Sequence, residues 1–182
     1  MASILRRLPF FDTATTLRIP NGPAIDIKHH QIIVWISITL AHLPELSLPC
    51  QRIPAVLDIG FNDYLLLRED HLSKWAQVSW QPEIIPPSGR LTVYGTDVPQ
   101  FDADLWLHPN VPGFRDQFTT APPFRLEIGT GMAVCPSSMT QLRLPLVGLS
   151  TLQRNRLRLF VNGEKKYISL RTALQPVATT PW

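Results

Sequence analysis

Proline is the residue that most constrains how this chain can fold. The sequence of 182 residues contains 18 prolines, about twice the usual share of roughly 5%. Proline lacks the N–H group that a helix interior or a central strand uses, so it is confined mainly to loops, first helical turns and sheet edges. We therefore predict short secondary-structure elements that are joined by many loops.

The composition predicts a globular protein. Apolar residues make up 45% of the chain and charged residues 17%, which is unlike a disordered chain. A chain of this length buries roughly 70% of its unfolded surface, enough for a core without disulfides. We expect one domain over residues 31–172. An N-terminal arm at 1–30, with one short strand at Thr16–Ile19, precedes it, and a tail at 173–182 follows.

The first half of this domain is predicted to consist mostly of strands. QIIVWISITL at 31–40 is rich in β-branched and aromatic residues, which favour strands. RIPAVLD at 52–58 is nearly continuous in apolar residues, as is typical of a strand that is buried on both faces. YLLL at 64–67 is a third short strand, and the segment around His71 is predicted to form a helical turn or two.

A hairpin is predicted in the middle of the chain. Its arms are Val78–Trp80 and Leu91–Tyr94. A long tip rich in proline, serine and glycine covers residues 81–90, because these residue types mark turns and loops.

The last third of the domain contains a strand, a short helix and a second hairpin. The strand is predicted at Gln141–Val147 and the helix at Leu149–Arg154. Two strands at 156–161 and 165–170 flank an Asn-Gly pair, which is a strong signal for a hairpin turn. The whole pattern predicts a mainly β fold, a closed or partly closed barrel with one or two short helices.

Charge and hydropathy argue against two kinds of partner. The net charge is only +3, whereas a nucleic-acid-binding surface needs a basic patch or stripe. Arg154, Arg156 and Arg158 recur at every second position, which places them on one solvated face of a strand. No apolar run reaches the ~18 residues of a membrane-spanning segment, and no apolar signal-peptide core follows the arginines near the N-terminus. We therefore predict neither a nucleic-acid partner nor a membrane partner.

Cysteine and histidine usage points to a chain without a metal or a cofactor. Two cysteines, Cys50 and Cys135, form no disulfide framework and favour a reduced, cytoplasmic protein, although one disulfide between them stays open. The five histidines lack the spacing of metal ligands. The Gly-Thr-Gly sequence at 129–131 lacks the strand–helix context of a phosphate-binding loop and is predicted to be a turn.

Asp58 stands out because it ends a buried strand immediately before a glycine turn, in AVLDIGFNDYLLL at 55–67. One interpretation is structural, since aspartate commonly shapes such turns through its side chain. The other is chemical. Two carboxylates held about 3 Å apart share one proton, so that one activates a water and the other polarises a carbonyl group.

AVLDIGFNDYLLL resembles the active-site segment of retropepsin-like aspartic proteases (retroviral type, clan AA), in particular the small bacterial single-domain members. Their pattern is an apolar run, Asp-Thr/Ser-Gly, often Phe-Asn/Thr-Gly, and then an apolar strand. LPLVGLSTLQRNRLRLFV at 144–161 resembles the second signature of the family, an apolar pair and a glycine followed by a short leucine-containing helix and a strand. The resemblance covers residues 31–170.

The resemblance implies a six-stranded-type acid-protease barrel and a set of site residues. Asp58 matches the catalytic aspartate, and Gly60 matches the glycine whose backbone approaches the substrate. The hairpin tip at 81–90 occupies the place of the family's flap. The substrate-binding residues implied in this way are Ile59, Gly60, Phe61, Ile84 and Ile85.

The resemblance also implies a homodimer. The chain contains one such aspartate motif, so the second carboxylate has to come from a second copy related by a two-fold axis. A peptide or protein substrate would lie as an extended strand under the flap and be held by main-chain hydrogen bonds. Water would be the nucleophile, with no metal and no covalent intermediate.

The chain departs from the family pattern at two positions. Ile59 stands in place of the threonine or serine whose hydroxyl braces the two active-site loops, and Asp63 stands where glycine is frequent. These departures keep a second hypothesis open. It is a catalytically inactive barrel of the same fold that serves for dimerisation or peptide binding.

Overall fold

The computed structural model describes residues 2–19, 22–40, 51–81 and 83–173. Within these residues the chain forms fourteen strands, one short α-helix and one turn of π-helix, which confirms the predicted mainly β class with two short helical segments. The strands are β1 (Ser3–Pro9), β2 (Thr15–Arg18), β3 (Ala24–Ile27), β4 (Ile33–Leu40), β5 (Ile53–Asp58), β6 (Leu65–Arg68), β7 (Gly89–Val93), β8 (Thr96–Phe101), β9 (Ala103–Leu107), β10 (Phe124–Glu127), β11 (Met132–Cys135), β12 (Leu146–Gly148), β13 (Leu157–Asn162) and β14 (Tyr167–Thr172). Helix α1 is Leu149–Arg154, and the π-helical turn is His71–Trp75.

The described strands form three sheets around one large core. The main sheet has nine strands in the order β10-β9-β4-β5-β12-β6-β11-β8-β7, the second sheet is β1-β14-β13, and the third is the β2-β3 pair. The large hydrophobic cluster includes Leu5, Leu17, Ile36 and Leu170, so all three sheets contribute to it. Burial of this shared apolar surface is what holds the sheets together.

The main sheet is open, and a closed barrel is not found among the described residues. Strands β10 and β7 form its two edges and do not pair with each other. At the β10 edge, the side chain of Asn155 accepts from the backbone N–H of Glu127 and donates to its carbonyl, both at 2.9 Å. A side chain thus satisfies edge groups that a closing strand would otherwise bind.

Strand β4 is an interior strand of the main sheet, between β9 and β5, and all eight of its residues are buried. Its two polar side chains have hydrogen-bond partners, as burial requires. Ser37 Oγ donates to the carbonyl of Gln51 at 2.8 Å, and Thr39 Oγ1 accepts from Trp106 Nε1 at 2.9 Å. The strand predicted at 31–40 is therefore confirmed as a core strand.

Three strands position Asp58. Strands β5 and β6 follow each other in the chain, but β12 lies between them, parallel to β5 and antiparallel to β6. The register places Gly148 opposite Asp58. The two segments that carry the family resemblance are therefore hydrogen-bonded neighbours, and β5 is buried up to Leu57, as its apolar run predicts.

The N-terminal residues are part of the fold. Strand β1 pairs with β14, and the strand predicted at Thr16–Ile19 is β2, which pairs with β3. Side chains from all three N-terminal strands are buried in the large core cluster. The core therefore continues across the predicted arm boundary at residue 30. The pairing of β1 could not be predicted from local sequence, because its partner β14 lies more than 150 residues away.

The predicted hairpin at 78–94 is wrong in its position. The hairpin is β7–β8, and its turn is Tyr94–Gly95 with φ values of 49° and 78°. A two-residue turn of this kind needs positive φ at both residues, which glycine adopts readily and tyrosine rarely. Residues 83–88 of the Pro/Ser/Gly-rich segment precede β7 and are not the tip of the hairpin.

The last third of the domain follows the prediction closely. Helix α1 has the predicted bounds, and β13 pairs with β14 in the predicted hairpin. The loop contains four residues, because Asn162 pairs with Tyr167. Strand β12 is shorter than the predicted strand at Gln141–Val147.

Cys135 is buried in β11, where desolvation raises the pKa of its thiol to about 11, while Cys50 lies outside the described residues. Among the described helices, none has the length and apolar character that a membrane crossing requires.

Two buried histidines are held in the neutral form. Burial is the main cause that lowers the pKa of His71 and His108 to about 4, and nearby Arg68 and Arg52 lower the two values further. His71 Nδ1 accepts from the backbone N–H of Arg68 at 3.2 Å. His108 Nε2 lies 2.8 Å from the oxygen of Ser37. Since the Ser37 hydroxyl donates to Gln51, we assign the donor role to His108 Nε2.

The free energy of unfolding is expected to fall as the pH drops from about 6.5 to about 4. In this window the unfolded chain, with the ordinary histidine pKa of 6.5, binds protons that the folded chain does not bind. The loss is on the order of 2 kcal/mol for each histidine. Urea unfolding of the wild type and of His108→Gln at several pH values would measure it. Glutamine keeps a donor but does not titrate, so the two stability curves should converge towards pH 4. Stability curves that stay parallel down to pH 4 would contradict the lowered pKa of His108.

Candidate active site at Asp58

Asp58 is the last residue of β5 and is partly exposed on a tight turn. Its Oδ1 accepts from the backbone N–H of Gly60 at 2.9 Å, and its carbonyl accepts from the N–H of Phe61 at 3.2 Å. This is the turn geometry that the structural interpretation predicts. The same hydrogen bond also fixes the direction of the carboxylate, which a catalytic group requires.

The loop that follows Asp58 is braced by the junction of β12 and α1. Four consecutive residues of this junction donate hydrogen bonds to carbonyl groups of the loop at 61–64. The donors and acceptors are Gly148 N to Tyr64 O at 2.8 Å, Leu149 N to Phe61 O at 2.8 Å, Ser150 Oγ to Asn62 O, and Thr151 Oγ1 to Tyr64 O at 2.8 Å. The loop is therefore tied to the chain segment that resembles the second family signature.

Gly148 makes the closest contact between the β12–α1 junction and the loop. A Cβ atom at this position would lie 2.1 Å from the carbonyl oxygen of Asp63 and 2.6 Å from that of Phe61. Both atoms belong to the backbone, so neither can turn away. Only glycine lets β12 approach the loop closely enough to pair beside Asp58.

Ile59 lies on the outer side of the turn, and 56% of its surface is exposed. The structure shows a different source for the bracing hydroxyl groups, because Ser150 and Thr151 donate to the loop from α1. The loop within one chain is thus held without a hydroxyl at position 59. Ile59 instead places an exposed apolar side chain beside the carboxylate.

An open cavity of about 200 Å³ lies in front of Asp58. Lys28, Gln31 and Arg143 line it, and so does Tyr94 from the β7–β8 turn. Asp58 is the only carboxylate among the described residues that line it.

The structure brings together some of the predicted site residues and separates others. Asp58, Ile59, Gly60 and Phe61 form one turn. Phe61 packs against a second small core cluster that also contains Val93 of the β7–β8 hairpin, so we assign it the role of anchoring the turn.

Ile84 and Ile85 do not line the Asp58 cavity. The side chain of Ile84 is 71% exposed, and Ile85 packs against the large core cluster. The sequence prediction missed the other residues that line this cavity, among them Tyr94, which is 72% exposed. The available signal was Gly95, which together with Tyr94 separates two short runs of strand-forming residues.

No protein-family model, curated protein or solved structure matches the chain. Among the described residues, no group of three or more histidine, cysteine, aspartate or glutamate side chains could hold a metal ion. The features that bear on function are therefore the geometry around Asp58 and the resemblance of its two neighbouring segments.

Gly148→Ala is expected to lower the free energy of unfolding by about 3 kcal/mol, the upper end of the usual range for overpacking. The added Cβ would meet the Asp63 carbonyl oxygen at 2.1 Å, and the loop would have to move. Gly163→Ala is the matched control, since a Cβ there meets nothing within 4 Å. Denaturant unfolding of both variants measures the difference. Equal stabilities of the two variants would show that Gly148 is not closely packed against the backbone of the Asp58 loop.

Proposed function

We propose that the protein is a homodimeric aspartic endopeptidase with a retropepsin-like domain, in which Asp58 from each of two copies forms the catalytic pair. The observation that carries this proposal is the pairing of Asp58 with Gly148, which presents a partly exposed carboxylate at the mouth of a cavity. The β7–β8 turn borders the same cavity. This combination fits a site that receives a ligand better than a plain strand end.

The need for a second copy follows from the chemistry. A single carboxylate cannot both remove a proton from water and donate one to a carbonyl oxygen. Asp58 has no second carboxylate beside it among the described residues of its cavity. A two-fold axis near Asp58 would supply an identical group. It would also cover Ile59, whose exposed apolar surface is otherwise left in water.

The proposed reaction uses water as the nucleophile. The ionised Asp58 takes a proton from water, whose oxygen attacks the peptide carbonyl carbon, while the protonated Asp58 of the second copy donates a proton to the carbonyl oxygen. The tetrahedral intermediate then collapses, the C–N bond breaks, and the amine leaves with a proton from the pair. The products are a carboxylic acid and an amine.

We propose that the substrate is an extended peptide segment between the Asp58 turn and the Tyr94–Gly95 turn. Strand β7 is an edge of the main sheet, so its outer backbone groups are free of strand partners within the described residues. An extended peptide binds to such an edge through main-chain hydrogen bonds. Tyr94 and Ile59 place apolar surface on either side of the path, which favours apolar residues near the cleaved bond.

A second candidate function is a catalytically inactive module of the same fold that dimerises or binds peptides. The observation that favours it is Ile59, since the position at which the family carries a hydroxyl holds an exposed hydrocarbon. The Asp58 turn would then be a structural turn that is stabilised by the Gly60 hydrogen bond.

Asp58→Asn is expected to lower peptide hydrolysis by roughly 100- to 10,000-fold, because it removes a general acid–base group. Cleavage of a mixed peptide library between pH 4.5 and 7, read by mass spectrometry, measures the effect. Asp102→Asn is the control, since Asp102 is an exposed acid at another place in the fold. A mixture of wild-type and Asp58→Asn protein, left until the subunits have exchanged, tests whether two copies share one active site. Activity should follow the square of the wild-type fraction, and a linear decrease would show that each copy acts alone.

Ile59→Thr is expected to raise the hydrolysis rate, because a hydroxyl can brace the paired turns across the dimer axis. Ile59→Val is the matched control, since valine has the shape of threonine without the hydroxyl. Neither change should shift the unfolding free energy by more than about 0.5 kcal/mol at so exposed a position. If neither the wild type nor Ile59→Thr cleaves peptides, and both bind them with equal affinity, the inactive module is favoured.

A further inference from the structure

A second cavity lies at the opposite end of β5 from Asp58. Its volume is about 480 Å³, which is within the range of roughly 300–1,000 Å³ for small-molecule sites. Arg52, which lines it, precedes β5, and Asp58 ends that strand. Six residues of extended chain separate the two positions by about 20 Å. This cavity, which we call the Trp35 cleft, is therefore independent of the proposed peptidase site.

Aromatic rings form the apolar part of the Trp35 cleft. Trp35 of β4 and Phe118 meet edge to face, with ring centroids 5.5 Å apart and an interplanar angle of 87°. Leu17 of β2 lines the cleft beside them. Such a surface favours a flat apolar group, because aromatic rings bury large areas at low entropic cost.

Two arginines supply positive charge at the cleft. The guanidinium carbon of Arg52 lies 4.4 Å from the centroid of the Phe118 ring, and Arg18 reaches the cleft from β2. Among the described residues neither arginine has a carboxylate within 4 Å, because the four ion pairs involve other side chains. The planar guanidinium group of arginine can contact an aromatic ring and still carry N–H donors that match a carboxylate.

The carboxylate that lines the cleft does not offset this charge. Asp116 accepts from both Nε and Nη2 of Arg115 at 2.9 Å, and it also accepts from Trp35 Nε1 at 3.3 Å. Its charge is thus already matched by Arg115. Arg18 and Arg52 leave the cleft with a net positive charge next to an aromatic surface.

We propose that the Trp35 cleft binds an aromatic carboxylate, with the ring against Trp35 and Phe118 and the carboxylate on Arg18 and Arg52. Arginine forms paired hydrogen bonds with a carboxylate, which makes it well suited to this role. The ligand is either a small aryl acid or a peptide that ends in an aromatic residue, since both present the same two groups. The site includes residues from β2, β4 and the segment before β5, so it needs the N-terminal strands.

The test uses the full chain and two probes, 2-naphthoate and the dipeptide acid N-acetyl-Gly-Trp, with 2-naphthamide as the uncharged control. Calorimetric titration should show saturable binding of one molecule of at least one acid per chain. Binding of 2-naphthamide should be at least tenfold weaker than that of 2-naphthoate. A tighter complex with the dipeptide would identify a peptide terminus as the source, and a tighter complex with naphthoate would identify a free aryl acid.

Arg18→Gln and Arg52→Gln should each weaken acid binding at least tenfold, the loss expected for one charge-assisted contact. Both side chains are exposed, so the variants should fold, and circular dichroism checks this. Arg158→Gln on β13 is the control and should bind as the wild type does. Equal binding of 2-naphthoate and 2-naphthamide, insensitivity to both substitutions, or no binding of either acid at millimolar concentration would overturn the proposal. Peptidase activity does not enter any of these measurements.

Discussion

The close packing of Gly148 against the backbone of the Asp58 loop is the contact on which the rest of the site depends. Strands β5 and β6 do not pair with each other, and β12 supplies hydrogen-bond partners to both. That arrangement requires β12 to end against the carbonyl oxygens of Phe61 and Asp63, where no Cβ fits. Once β12 is in place, α1 begins directly after it and its first residues fasten the loop. The position of the carboxylate is thus a consequence of sheet order.

In the proposed peptidase, the Asp58 turn would serve both the fold and the reaction. The hydrogen bond from Gly60 to Asp58 closes the turn and aims the carboxylate at the cavity. A rigid turn is useful to an acid–base group because little reorganisation is needed when the substrate binds. The exposed Ile59 beside it belongs to a surface that a second copy or a peptide would cover. One chain therefore carries half of the proposed site.

Local sequence patterns predicted the elements whose partners are nearby or whose burial is complete. The apolar run of β5, the β-branched run of β4 and the short helix α1 all have the expected place because their own residues determine them. The β7–β8 hairpin was misplaced because the proline-rich connection is the stronger turn signal in the sequence. The actual turn is Tyr94–Gly95, in which tyrosine adopts a rare positive φ. The roles of β1 and of Tyr94 depend on contacts with distant segments. No local pattern records such contacts.

The pairing of β1 with β14 has a consequence for how the protein is made. Ala2 and Thr172, which are 170 residues apart in sequence, are joined by hydrogen bonds in both directions. At a synthesis rate of about 5–20 residues per second, β1 emerges roughly 10 to 30 seconds before its partner exists. During that interval β1 lacks its one strand partner among the described residues. Among the described strands β14 is synthesised last, so β1 stays unpaired until then and is open to aggregation and to chaperones.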